Sequence, residues 1–251
     1  KILGYLLKNR KKNIFIDIQN EISSEQILEL VFKIKKKKII NKKIIINLDR
    51  SSDYIAYIFA LWINGNTVIP TNSNWPKKYI NQIYKTCGAN LIIDTKFKKK
   101  LNSIKLYNNN LDFEKKIREL KKEKFKNKIP YIIFTSGTTS KQKGVIINEK
   151  SYLDYISWTS KEFSSYRNLK SLILTSELNF DITFGDIAFA LFSNCKIIVA
   201  RNNSNIFEII NLIDKFKIEV MYTVPNLFKL LFNVLNNYKI KKTIRLFISG
   251  G

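Results

Sequence analysis

Histidine is absent from this 251-residue chain. That removes imidazole acid–base catalysis and His-ligated metal centres from the chemistry open to it. Cysteine is nearly absent. Cys87 and Cys195 stand too far apart for a metal knuckle and are too few for a disulfide framework, so each is read as a small buried apolar residue. No apolar run approaches the length of a membrane span and no signal peptide is visible, so a cytoplasmic location without a membrane partner is expected. There is no internal repeat and no Gly/Ser linker. Acidic residues are scarce beside basic ones, 20 against 44, for a net charge of +24. The excess is almost all lysine and scattered, with the runs 35–38, 98–100 and 121–122 read as solvated faces. A specific nucleic-acid partner is not expected from it, since helix-turn-helix, RNP-type and zinc-knuckle patterns are not evident.

What is present is an ordinary globular composition, 45% hydrophobic and 25% charged, enough for a sizeable core. The first forty residues are the least informative, apart from a helix start at Ser23-Ser24-Glu25. From there strands are predicted over 43–48, 67–70, 91–94, 131–134, 145–147, 172–175, 196–200, 220–224 and 244–248. Helices fall between them at 54–63, 76–88, 150–163, 182–192, 207–216 and 226–235. Ser51-Ser52-Asp53 is expected to cap the first of these, and residues 101–128 to form a charged connector. Repeated strand–helix alternation with short connections predicts an α/β fold with largely parallel strands.

Two stretches carry chemistry. In the first, residues 131–144 read YIIFTSGTTSKQKG. A buried strand ends abruptly in Thr135, Ser136, Gly137, Thr138, Thr139 and Ser140, with Lys141, Lys143 and Gly144 following. A short loop at a strand end can turn amides and hydroxyls toward one point, which is how phosphate oxygens are held, and Lys143 adds a mobile positive charge. The ordinary P-loop spacing is excluded, because Gln142-Lys143 stands where Gly-Lys is required. The bland alternative is a polar turn between two elements.

The second stretch is Asn179-Phe180-Asp181, between a strand and an apolar helix. An Asp there is either a helix N-cap or a carboxylate at a pocket mouth, able to pair with a substrate ammonium.

The first stretch resembles the signature of the adenylate-forming superfamily, roughly Ser/Thr-Ser-Gly-Ser/Thr-Ser/Thr-Gly-x-Pro-Lys-Gly behind a strand. Thr135 to Thr139, Lys143 and Gly144 fit, Lys141 falls on the free position, and Ser140 and Gln142 depart from it. Gly65, Pro70 and Pro76 are similar to an earlier pattern of that superfamily. Phe180-Asp181 with its following helix resembles the amino-acid-activating branch, the adenylation domains of nonribosomal peptide synthetases and the D-alanine–carrier-protein ligases. Val220 to Pro225 resembles the family's strand that ends in Pro, and Arg245 to Gly251 the strand leading into its Gly-Gly-Glu, cut before the Glu.

The resemblance implies two α/β lobes with largely parallel sheets flanked by helices, the N-terminal core of an adenylate-forming enzyme. Residues 1–251 are read as an incomplete core, with the mobile C-terminal domain absent. The implied reaction takes an amino acid and ATP, with Mg²⁺, to an aminoacyl-adenylate and pyrophosphate, then passes the acyl group to a carrier-protein thiol. The implied ATP-phosphate residues are Thr135, Ser136, Gly137, Thr138, Thr139, Ser140, Lys143 and Gly144, with Lys143 also catalytic. The implied substrate residues are Asp181, Phe180, Ile182, Gly185, Tyr222, Phe247, Ser249 and Gly250. No protein-held metal site is implied, and this chain alone is expected to turn over little. Activation of a carboxylic acid without an amino group, as in acyl-CoA ligases, stays open, as does a non-catalytic basic, nucleic-acid-binding role.

Overall fold

The computed structural model of the chain describes residues 1–104, 110–123, 128–135, 143–237 and 243–249. The chain opens with α1 (Ile2–Lys8), a hairpin of β1 (Asn13–Ile16) and β2 (Glu21–Ser23), and α2 (Ser24–Lys36). Ser23 caps α2 as its sequence suggests: its hydroxyl accepts from the Gln26 amide, and the Gln26 side chain accepts from the Ser23 amide. The chain then builds β3 (Lys43–Ile46), α3 (Ser52–Ile63), β4 (Thr67–Pro70), α4 (Lys77–Cys87), β5 (Leu91–Ile93), α5 (Thr95–Asn102) and α6 (Asn110–Lys122). The hairpin of β6 (Tyr131–Thr135) and β7 (Lys143–Ile147) closes this half. Beyond it come α7 (Glu149–Glu162), β8 (Ser171–Leu174), α8 (Asp181–Ser193), β9 (Lys196–Val199), α9 (Ile206–Phe216), β10 (Val220–Thr223), α10 (Pro225–Asn237) and β11 (Leu246–Ser249).

Two sheets result, ordered β5-β3-β4-β6-β7 and β11-β10-β8-β9-β1-β2. Both are parallel except at one margin, where β7 runs antiparallel to β6 and β2 antiparallel to β1. Alternating side chains then sort each sheet into two faces. Ile44, Ile46, Tyr131 and Ile133 of one sheet and Phe15, Leu172, Leu174 and Ile197 of the other share a central core. Ile45, Ile69, Ile132 and Phe134 pack outward on Ile80 and Ile83 of α4. Ile173, Ile198 and Met221 pack outward on α9 and on Leu231 of α10.

α3 and α8 contribute to that central core from between the sheets, which explains their composition. A helix covered on every side has no polar face to keep, and α3 is buried at every position from Tyr54 to Leu61. The Ser51-Ser52-Asp53 cap is corrected in one respect: the N-cap residue of α3, Ser51, makes no side-chain capping bond. Asp17, just after β1, supplies the acceptor instead. Its Oδ2 takes the Ser52 amide and the Ser52 hydroxyl, each at 2.8 Å, while its Oδ1 takes the Gln19 and Asn20 amides.

Candidate active site

The loops that follow β3, β4, β8 and β9 all leave the carboxyl ends of parallel strands. Between them lies a polar cleft of about 550 Å³, lined by Asp49, Arg50, Asn72, Glu177 and Arg201 among others. That is where an open α/β sheet presents ligand sites. Arg50 is anchored there by main-chain carbonyls: its guanidinium donates to that of Leu174 at 2.6 Å and to those of Ser176 and Ala200. Burial pushes its pKa down to about 10, partly offset by Glu177 and Asp186.

The first motif stands on the β6–β7 hairpin. Tyr131 pairs with Ile147 at the base, and the backbone ladder ends with Thr135 opposite Lys143. Thr135 and Lys143 are therefore the two posts from which the intervening loop departs. Lys143 is exposed and carries no ion pair among the described residues. Gly144, assigned to phosphate binding from sequence, has a packing reason to be glycine. A Cβ there would stand 3.0 Å from Cζ of Phe134 and 3.1 Å from Cγ2 of Ile132. Ser136, Gly137, Thr138, Thr139 and Ser140 lie outside the described residues, as does Gly250.

The second motif stands at the head of α8. Asp181 is the first residue of the helix, with Phe180 as N-cap making no side-chain capping bond. The Oδ1 of Asp181 accepts from the Ile182 amide at 2.9 Å, and the residue is exposed. A carboxylate in the first turn is favoured by the helix dipole. Phe180 is 51% exposed beside it, and Ile182 is half-buried.

An aromatic contact joins the motifs. Tyr131, at the root of the β6–β7 hairpin, stacks on Phe184 of α8 at 3.7 Å between centroids and 7° between planes. The Tyr152 hydroxyl of α7 donates to the Phe184 carbonyl at 2.9 Å, fixing α7 to the same turn. Around the next residue, Gly185, a Cβ would meet the Tyr155 hydroxyl at 3.0 Å and the Tyr222 ring at 3.6 Å. Burial raises the pKa of Tyr131, Tyr155 and Tyr222, and Asp181 adds to the rise in each. Asp186 also raises Tyr155 and Tyr222. All three phenols are neutral hydrogen-bonding groups near neutral pH.

Gly185 and Tyr222 are thus brought together, while Phe247 is not placed with them and that expectation is corrected. Tyr222 pairs with Ile248, and Phe247 with Met221, whose side chain belongs to the outward face. Phe247 accordingly packs edge-on against Phe228 of α10, 5.1 Å between centroids. Ser249, two residues on, follows Phe247 to that face by strand alternation and is exposed.

Sequence reasoning missed Tyr131, Tyr155 and Asp186 as members of this cluster. The spacing of Tyr152 and Tyr155, three apart on one helix face, was a legible signal for the second. Asp186 is 1% exposed, and neither carboxylate oxygen has a partner among the described residues. Burial holds its pKa well above the carboxylate range, with Arg50 opposing.

Among the described residues no three His, Cys, Asp or Glu side chains converge on a metal position, and no helix is long and apolar enough to cross a membrane.

Comparison with known proteins adds the following. The pattern of the family described as AMP-binding enzyme matches residues 38–251. Zwittermicin A synthase ZmaJ of Bacillus cereus is 23% identical over 216 residues, covering 82% of this chain and 41% of that protein. The N-terminal subdomain of Klebsiella oxytoca NpsA, solved with 3-hydroxyanthranilyl-AMSN, superposes with a TM-score of 0.78 at 16% identity, over 100% of this chain and 65% of that one. O-succinylbenzoate coenzyme A synthetase (MenE) of Bacillus subtilis, solved with AMP, gives 0.74 at 12% identity, over 100% and 67%. The chain therefore spans less than half the length of the first of these relatives and about two thirds of the solved chains.

Proposed function

The chain belongs to the AMP-binding enzyme family, and from that premise we propose that it activates the carboxylate of an amino acid as an aminoacyl-adenylate. One observation carries the amino-acid part. The Asp181 carboxylate stands exposed at the head of α8, and the Phe184–Tyr131 stack ties that helix to the strand leading into the phosphate loop. In this reading Asp181 pairs with the substrate ammonium and so aims the substrate carboxylate toward the hairpin.

ATP, when bound, supplies the α-phosphorus that the carboxylate oxygen attacks, with pyrophosphate leaving. The chain's residues position and neutralise charge rather than move protons. Lys143, at the post of β7, supplies positive charge to the departing phosphates. Thr135, Ser136, Gly137, Thr138, Thr139 and Ser140 supply hydroxyls and amides in the same role, and Gly144 admits the Phe134 ring that fixes the strand. In this reading a Mg²⁺ ion would accompany the nucleotide's phosphates, as is usual for that ion.

We further propose that residues 1–251 act within a longer protein that supplies the rest of the nucleotide site and presents a carrier-protein thiol as acceptor. Activation of an acid without an amino group is the competing reading. It is favoured by the Oδ1 bond to the Ile182 amide, which makes Asp181 partly a helix-terminal acceptor.

The test is acid-dependent ATP–pyrophosphate exchange on the full-length protein carrying this chain. Exchange with amino acids, abolished in Asp181→Ala and Lys143→Ala, is the expected result. Exchange confined to acids without an amino group overturns the amino-acid assignment.

A further inference from the structure

We propose that Tyr155 sets the size of the substrate by closing the pocket that Gly185 opens, so that the protein takes an amino acid of small side chain, of the glycine, alanine or serine class. The inference rests on the reading that Asp181 holds the amino group of the substrate.

The observations are geometric. Glycine at 185 removes a side chain from the α8 face four residues, one helical turn, beyond Asp181. On an open helix that would leave a deep slot. Here the slot is filled: the Tyr155 hydroxyl lies 3.0 Å from where a Cβ would begin, closer than ordinary van der Waals contact, and the Tyr222 ring edge lies at 3.6 Å. A side chain at 185 would therefore crowd the Tyr155 phenol, and the space over Gly185 is shared by the Tyr155 and Tyr222 rings.

Tyr155 is also held in place. One turn earlier on the same face, the Tyr152 hydroxyl is bonded to the Phe184 carbonyl, so α7 cannot draw back from α8 without breaking a buried hydrogen bond. On its outer side the Tyr155 ring packs on Trp158 at 5.6 Å. The ring is 38% exposed, so it is not sealed into the core. The wall it presents ends in a hydroxyl beside a second phenol, Tyr222, so a short or hydroxyl-bearing side chain is matched and a long hydrocarbon chain is excluded.

The experiment is pyrophosphate exchange on the full-length protein with glycine, alanine, serine, leucine, phenylalanine and their deamino analogues. Wild type, Tyr155→Phe and Tyr155→Ala are compared, with kcat and KM separated. Wild type is expected to favour the small amino acids. Tyr155→Ala is expected to raise kcat/KM for leucine or phenylalanine relative to alanine by at least about tenfold, the scale of one or two methylenes in a pocket. Tyr155→Phe keeps the ring against Trp158 and removes the oxygen over Gly185. It is expected to shift selectivity the same way by less, and it carries the test if the alanine variant fails to fold.

Wild-type preference for leucine or phenylalanine overturns the inference, as does an unchanged order of preference in a folded variant. Exchange confined to the deamino acids overturns the Asp181 reading instead. Tyr155 as the size limit is then supported only if its variants admit the longer acids, and is overturned if they do not. No exchange with any acid overturns both.

Discussion

The first turns of α3 and α8 make an instructive pair. Both helices are apolar on nearly every side, both lie between the two sheets, and both begin beside an aspartate. At α3 the aspartate is Asp17, fetched from another part of the chain. Its side chain is fully buried and its oxygens are engaged by amides and a hydroxyl. At α8 it is Asp181, the helix's own first residue, exposed and accepting one amide through Oδ1. A carboxylate with its acceptor capacity used up serves the scaffold. One held at a helix start but left facing solvent can still serve a ligand.

The largest effect expected from breaking this contrast is at the scaffold carboxylate. Asp17→Ala strands the buried amide and hydroxyl of Ser52 and should lower unfolding free energy by about 3–5 kcal/mol, read by urea denaturation. Whatever protein remains folded should keep its substrate preference. Asp181→Ala should do the reverse. Amino-acid-dependent exchange should fall about 10²–10³-fold, on the scale of losing a charged partner in a binding pocket, while the urea midpoint hardly moves. A large stability loss in Asp181→Ala with intact exchange would erase the distinction.

Smaller effects sharpen it. Gly144→Ala forces a Cβ against Phe134 and Ile132 and should cost about 1–3 kcal/mol of stability. Its exposed neighbour in Lys143→Ala should change stability by no more than about 0.5 kcal/mol. Equal losses in the two would remove the packing role assigned to Gly144.

A further contrast is the second carboxylate of α8, Asp186, which among the described residues has neither Asp17's partners nor Asp181's solvent. Its folded pKa is raised by burial, so the folded state holds its proton more tightly than the unfolded state. Stability from this group is full below the unfolded pKa, about 4, and is lost as pH rises toward the folded value. Asp186→Asn should remove that decline, which denaturation midpoints between pH 4 and 8 would show. A wild-type midpoint rising over that window by an amount equal to the variant's would contradict it.

Much of this was legible in the sequence because strands such as β3 (KIII) and β9 (KIIV) are short β-branched runs, and helices such as α4 end at a left-handed glycine. The residues 131–134 and 196–199 could hardly be anything else. The first forty residues were opaque for a physical reason. No helix separates β1 from β2 to give the strand–helix alternation seen later, and β1 pairs with β9 from far along the chain, Phe15 opposite Ile197. The same distance hid Asp17, whose helix begins 35 residues later. Phe247 was misplaced because alternation divides a strand between two faces without saying which one meets α8. That is decided by the pairing of Tyr222 with Ile248.

Arg50 has a mechanical meaning. It leaves the turn between β3 and α3, in one sheet's half, and grips the carbonyls that end β8 and β9 in the other. The crevice between the strand ends is thus a jaw pinned near one corner. Its width cannot change at the pin, where the chain runs on from Leu174 toward Asp181. A ligand that needs more room must find it away from the pin.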